Sequence, residues 1–212
     1  MDAWILTHAH NYHIDAFIGM MENYADQLEL GGLYYNFPPY EFCKQYDSAV
    51  DAESVRQLLA VLPAIEDRVH IVHTGDTLDV GKFHADFLFE PDLSITGNAI
   101  NNSSIVFKIT LGSKTIMILG DLGVEGGQKI LEKYGAALKS DMVEMAHHGQ
   151  NGVEKDVYEA IAPSVCLWAT PVWLWENVER RWKTHIVREW MAELGVEINL
   201  IEMNGTESIS CN

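Results

Sequence analysis

Residues 4–15 read WILTHAHNYHID. Three histidines fall in six positions, between an apolar strand-like run and an amphipathic helix, and nothing else in the chain constrains it as much. On an extended segment, side chains two apart share a face, so His8 and His10 point the same way. His13 sits where the helical period begins, and its ring can turn toward the same spot. Imidazole suits zinc, iron or nickel, and carboxylate company widens the choice to manganese. A lone histidine is ordinarily a surface or core residue. HxHxxH at a strand-to-helix turn reads instead as one wall of a metal site.

Two more strand ends carry ligand-capable residues. The apolar run in TIMILGDLG ends in Gly120-Asp121, which poises an aspartate over a sheet edge. HTGDTLDVG offers Asp76 as a rival, but its run is shorter and more polar, and Gly75 and Gly81 read as hairpin punctuation. DMVEMAHHGQNG ends in His147-His148. Adjacent strand residues face opposite ways, so one of the pair is expected at a shared site unless the chain turns there. Loops at strand ends can converge, which makes the three ends a constellation.

The surrounding pattern places these ends. Residues 3–7 read as a buried strand. From His13 to about Leu30, the residues Ile14, Phe17, Ile18, Met21, Tyr24, Ala25 and Leu28 form one helical stripe. Gly31-Gly32 ends it, and LYYNF follows as a strand closed by Pro38-Pro39. DAESVRQLLAVLPAI is a second amphipathic helix with Asp51 as its N-cap. Residues 68–92 alternate strand and turn, and SIVFKITLGSKTIMILGD is a hairpin about Gly112-Ser113. Helices over Glu125–Tyr134, Lys155–Ile161 and Thr184–Leu194 then alternate with the strands DMVEMA, SVCLWAT, VEINLIEM and ESISC. Hairpins early and helix–strand alternation late predict mixed sheets with helices outside, in a single α/β (α+β) domain spanning residues 1–212.

Charge narrows the partners. Lys and Arg total 14 against 31 Asp and Glu, a formal net charge of -17. Such a surface repels phosphate backbones at long range, so a long nucleic acid is not expected, whereas a small-molecule substrate is compatible with it. Cys43, Cys166 and Cys211 are widely spaced and odd in number, which fits a reducing compartment. No basic leader opens the chain, and no apolar run approaches the ~20 residues of a membrane helix. The expectation is a soluble, cytoplasmic protein with no membrane partner.

With these residues in hand, the sequence resembles the metallo-β-lactamase fold superfamily. More narrowly, it looks like the branch related to the C-terminal domain of competence DNA-uptake channel proteins. LTHAHNYHID, NNSSIVFKITLGSKTIMILGD and MVEMAHHGQNG carry the resemblance, in that order, over residues 6–152. It implies a four-layer αββα sandwich with one or two ions, Zn or else Mn or Fe, at the sheet edge. His8, His10 and His13 match the histidines of the family's first motif, and Asp121 matches the aspartate that bridges two metals. A later histidine completes the second site: His185 by position, or His147 or His148. Asn101 and Asn102 stand where many relatives carry a histidine, and they are weak candidates for holding a substrate oxyanion.

Two departures stand out. Tyr12 replaces the aspartate that normally binds the second metal, which implies a weaker or empty second position. Asp15 is no obvious substitute and reads as a first-turn helix residue. Family domains also carry several strands before the first motif, so the domain is expected to be N-terminally short, with an exposed sheet edge open to homo-oligomer formation.

The chemistry implied is metal-dependent hydrolysis of a phosphodiester or other small ester, with Asp121, His148 and His185 as catalytic candidates. The alternatives are a catalytically degenerate member with a binding role, and a histidine-rich metal-binding module. In WATPVWLWENVERRW, the residues Trp168, Trp173, Trp175 and Trp182 read first as packing of an irregular connection and second as a pocket lining. Arg180 and Arg181 read first as solvated helix charges and second as an anion-binding pair.

Overall fold

The computed structural model describes residues 1–206 and 208–210. Its first part builds a parallel three-stranded sheet from β1 (Trp4–Ile5), β2 (Leu33–Tyr35) and β3 (Val69–Ile71), in that order. Helices α1 (Asn11–Tyr24), α2 (Tyr40–Tyr46) and α3 (Ala49–Val61) lie between those strands in sequence. Ile14, Phe17, Ile18 and Met21 of α1 are buried at the spacing of one helical face. They pack on Leu33 and Tyr35 of the sheet and on Leu58 and Leu62 from the α3 region. Each such side chain contributes about 1.5–3 kcal/mol on full burial.

The rest of the chain forms a seven-stranded sheet. Its strands are β4 (Thr77–Val80), β5 (Phe83–Phe89), β6 (Val106–Leu111), β7 (Lys114–Ile118), β8 (Met142–Glu144), β9 (Val165–Trp168) and β10 (Ile198–Ile201). They are ordered β10-β9-β8-β7-β6-β5-β4. β4 to β7 pair antiparallel through hairpins; β7 to β10 pair parallel. The change follows the sequence, because parallel neighbours need crossovers. These contain α4 (Val124–Tyr134), α5 (Lys155–Ile161), and the pair α6 (Val172–Glu176) and α7 (Thr184–Glu193).

Three apolar clusters give the layer order. Ile5, Tyr34 and Val72 meet Phe87 and Phe107 between the sheets. Met117, Val143, Cys166 and Trp168 meet Ile130, Val157, Val187 and Met191 of the outer helices. With α1 and α3 on the far side, the architecture is the αββα sandwich expected. β1 is an edge of its sheet, and Trp4 and Ile5 are only half-buried. Among the described residues no helix is long and apolar enough to cross a membrane.

Local corrections have local causes. α1 starts at Asn11 and ends at Tyr24, where a 3₁₀ turn over Ala25–Gln27 takes over before Leu30. Asp15 is therefore past the first turn, and it is exposed. α3 is capped by Ser48, whose hydroxyl accepts from the Asp51 amide at 3.0 Å, so Asp51 is not the cap. α2 was not expected; Pro39 before it supplies a helix-compatible start. Residues 208–210 are not in a strand, and Glu207 and Cys211 of the expected ESISC strand lie outside the described residues.

One buried hydroxyl couples the outer layer to the strand ends. The Ala146 amide donates to Tyr158 Oη at 3.2 Å, and Tyr158 is 1% exposed. Tyr158→Phe keeps the ring and strands that amide, so it should lower unfolding stability by about 1–3 kcal/mol. Urea denaturation measures this; an unchanged midpoint would refute it.

Candidate metal centre

Backbone hydrogen bonds zip the three strand ends together. The Ile105 amide donates to the Thr7 carbonyl (2.9 Å) and the His147 amide to the Gly120 carbonyl (2.9 Å). The Asp121 amide donates to Ser104 Oγ (3.0 Å) and the Gly120 amide to the Glu144 carboxylate (3.1 Å). Asp121 is thereby fixed from both sides. The chain also turns sharply after β8: His147 and His148 both have positive φ, 49° and 57°. That left-handed turn swings both rings to one side, where an extended strand would have split them. Gly149 follows at φ 76°, and a Cβ there would meet the Trp168 ring at 2.3 Å.

The result is a carboxylate ringed by imidazoles. Asp121 Oδ2 faces Nε2 of His13 (3.4 Å), His8 (3.5 Å), His148 (3.6 Å) and His147 (3.7 Å). His10 Nδ1 faces His8 Nε2 at 3.1 Å. Asp121 is 2% exposed and His8 0%. These Asp–His separations are too long for hydrogen bonds, which run to about 3.2 Å. They match two ligands on one ion: atoms about 2.1 Å from a tetrahedral cation lie about 3.4 Å apart. Asp121 Oδ2 and His13 Nε2 are buried with no hydrogen-bond partner.

The tautomers sharpen this. His148 Nδ1 lies 2.8 Å from the Ala169 carbonyl, which only accepts, so Nδ1 carries the proton. Nε2 is then the nitrogen His148 has left to serve as a ligand, and it faces the Asp121 carboxylate. Two acceptors facing each other in a buried site call for a cation between them. The residues therefore fit a metal. His8, His10 and Asp121 form one ligand group and His13, His148 and Asp121 another, each with its ligand atoms within 4.8 Å of one another. A third group joins His10 to Asp47 and Asp51.

Burial sets the protonation. It pushes the His8 pKa down to about 4 and lowers those of His10 and His147. Burial alone would raise the Asp121 carboxyl, but the facing His13 and His8 rings outweigh it and hold it well below the ordinary carboxylate range. Glu144 is pushed up, chiefly by burial.

Other sequence candidates lie elsewhere. The structure does not bring His185 to Asp121; its Nδ1 faces the Trp182 carbonyl (3.1 Å) and Asn177 Nδ2 (3.3 Å). Asn102 is buried as a clamp: its amide nitrogen donates to the Gly97 carbonyl and Glu125, and its oxygen accepts from the Gly126 amide. Asn101 is 4% exposed and donates to Asn98. Asp76 accepts from the His73 amide within its turn, as hairpin punctuation should. Tyr12 points outward at 60% exposure, its ring stacked on His10 at 5.3 Å. Sequence reasoning passed over Ser104 and Glu144. A charged residue inside the apolar run DMVEMA was the available sign of the second; no pattern marked the first.

An αββα sandwich with ligand residues at its strand ends is the metallo-β-lactamase fold, and this chain has it. Over 155 residues it is 30% identical to ComE operon protein 3 of Bacillus subtilis (strain 168), covering 72% of this chain and 17% of that protein. The chain thus spans less than a fifth of that relative's length. The metallo-β-lactamase fold protein YhfI of Bacillus subtilis superposes with a TM-score of 0.51 at 16% identity, over 94% of this chain and 75% of that one. CmlA, a diiron β-hydroxylase from Streptomyces venezuelae, gives 0.56 at 14% identity, over 95% and 44%. No protein-family model matches the sequence.

Metal-free protein should lose stability in mild acid. The unfolded chain protonates His8 near the ordinary imidazole value of 6.5, the folded chain only near 4, so the unfolded state binds the extra proton between them. His10 and His147 act in the same direction; Glu144 opposes them, and Asp121 matters only below its unfolded value of 3.8. The raised His73 and His84 are surface pairs that solvent screens. Urea midpoints should fall as pH drops from about 7 to about 4.5; a flat midpoint would contradict this.

Proposed function

We propose that the chain is a metal-dependent hydrolase of a phosphodiester or other small ester. The supporting observation is the orphaned Asp121 oxygen with the imidazole nitrogens of His8, His13, His147 and His148 3.4–3.7 Å away. His8, His10 and His147 with Asp121 would hold one cation; His13 and His148, sharing Asp121, would hold a second. A cation held there supplies Lewis acidity and lowers the pKa of water from 15.7 to about 7. Zinc, manganese and iron all suit this donor set. The fold alone does not choose hydrolysis, since CmlA carries it as a hydroxylase, so the reading rests on the site.

The chain's own residues do the positioning. Thr7 Oγ1 lies 3.1 Å from His8 Nδ1, and the Ala169 carbonyl fixes His148. These outer partners hold each ring so that Nε2 faces inward. Tyr12 keeps its proton at neutral pH, because the partial desolvation of its hydroxyl and then the charges of Asp121, Asp51 and Asp47 push its pKa to about 12. Its hydroxyl can therefore donate to a leaving oxygen. His148 remains the candidate for proton transfer; His185, whose Nδ1 faces the Trp182 carbonyl, is given no role in this reading. Cys43 and Cys166 are free and buried, which suits a reducing compartment.

The test is metal content together with turnover. Purified protein reconstituted with zinc or manganese should bind two equivalents, the second more weakly than the first. Asp121→Ala should cut hydrolysis of a chromogenic phosphodiester by more than the about 10–100-fold that losing an outer partner costs. Tyr12→Asp should tighten the second equivalent. Less than a tenth of an equivalent after reconstitution, or turnover indifferent to Asp121→Ala, would sink the hydrolase reading.

A further inference from the structure

The tryptophans after β9 divide into two kinds. Trp168 is buried and meets Trp175 edge-on at 5.3 Å, and Arg188 stacks on Trp175 at 4.1 Å. These two pack, as the sequence suggested. Trp173 and Trp182 do not: they are 61% and 37% exposed. With Tyr12, His148, Gln150 and Leu174 they line a pocket of about 510 Å³. That volume lies within the range of small-molecule sites, about 300–1,000 Å³. The pocket is also lined by His147 and shares it and His148 with the Asp121 centre, so a group bound there lies directly beside it.

The exposed rings sit on a built loop. Asn177, 6% exposed, closes α6 in the left-handed conformation at φ 42°. Its amide donates to the Trp173 carbonyl at 3.1 Å. Its side-chain amide donates to the Trp182 carbonyl at 2.7 Å, and its Oδ1 lies 3.4 Å from the Trp182 amide. One asparagine thus ties both tryptophans together, and the fully buried Leu174 anchors them to the core. The same loop sets the metal ligand: Thr170 Oγ1 donates to the His148 carbonyl at 2.6 Å, while Ala169 holds the His148 ring. Rings left half in water and held rigidly beside a reacting centre are suited to stacking on a flat partner.

We propose that Tyr12, Trp173 and Trp182 form a stacking subsite for the planar ring of the substrate, a nucleobase whose phosphate ester reaches the Asp121 centre. Every nucleobase offers a π-face to such rings, and the stack tolerates any base. The net charge of -17 and the pocket's size restrict the substrate to one or two nucleotides. Position 12 thereby exchanges a metal-ligand role for a substrate-facing one. The proposal rests on the metallo-hydrolase reading for the position of the ester.

Calorimetric titration of the manganese-loaded chain tests it, with adenosine monophosphate, ribose phosphate and phenyl phosphate as probes. Adenosine monophosphate should bind at least about tenfold more tightly than ribose phosphate, which lacks the ring. Trp173→Ala and Trp182→Ala should each erase about tenfold of that preference and leave ribose phosphate binding and metal stoichiometry unchanged. Tyr12→Phe should retain the preference and Tyr12→Ala should lose it. Equal binding of adenosine monophosphate and ribose phosphate, or a preference indifferent to the Trp substitutions, would overturn the subsite. Phenyl phosphate binding as tightly as adenosine monophosphate would overturn the nucleobase assignment. Asp121-dependent turnover of a chromogenic phosphodiester reports separately on the hydrolase reading. A Trp-dependent base preference without turnover would keep the subsite and refute hydrolysis.

Discussion

The carboxylate of Asp121 lies almost wholly out of water, and the groups around its Oδ2 are imidazole nitrogens at 3.4–3.7 Å. No ordinary hydrogen bond relieves that oxygen. Burying a charge without a partner is costly, and burying lone pairs that face it adds to the cost. A cation removes both penalties at once. The strand ends, the left-handed turn at His147 and His148, and the outer partners Thr7 and Ala169 all serve to keep those donors pointing at one place.

The sheets make this possible through direction and packing. β7 and β8 run parallel, so their ends emerge side by side and deliver Asp121 and His147 together. β1 belongs to the other sheet, yet the Thr7 carbonyl takes the Ile105 amide and bridges the gap. Inter-sheet packing of Ile5 and Tyr34 on Phe87 and Phe107 sets the distance between those layers. Sandwich packing and site geometry are therefore the same constraint viewed at two scales. A shift of one sheet against the other would separate His8 and His10 from Asp121.

Tyr12 shows how a departure from a pattern can be read two ways. By residue type it removes a carboxylate from the second metal position. By placement it stacks on His10 and faces a pocket bounded by Trp173 and Trp182. His148 stands on the other side of that position, held by the loop that carries the tryptophans. The second ligand group accordingly retains His13, His148 and the shared Asp121. A carboxylate lost from the metal and an aromatic wall gained by the pocket are two consequences of one residue.

Period and spacing in the sequence determined most of the helices and strands and the three strand ends, because hydrophobic alternation and helical stripes are local properties. The span of α5 and the β6–β7 hairpin are legible residue by residue. The Ser48 cap was less so, since Ser48 and Asp51 are both good caps and only the backbone path chooses between them. His8, His10, His13 and Asp121 could be named as candidates from type and position. Which late histidine joins them could not: His148 and His185 differ by a left-handed turn and a loop path that no local pattern encodes. Nor could the sequence show that Asn101 and Asn102 are buried and that Asn102 clamps Gly97, Glu125 and Gly126. Separation along the chain is what divides the two cases. The sequence determined which residues could carry the chemistry, and the tertiary structure decided which of them meet, because contacts between distant residues depend on how the layers close.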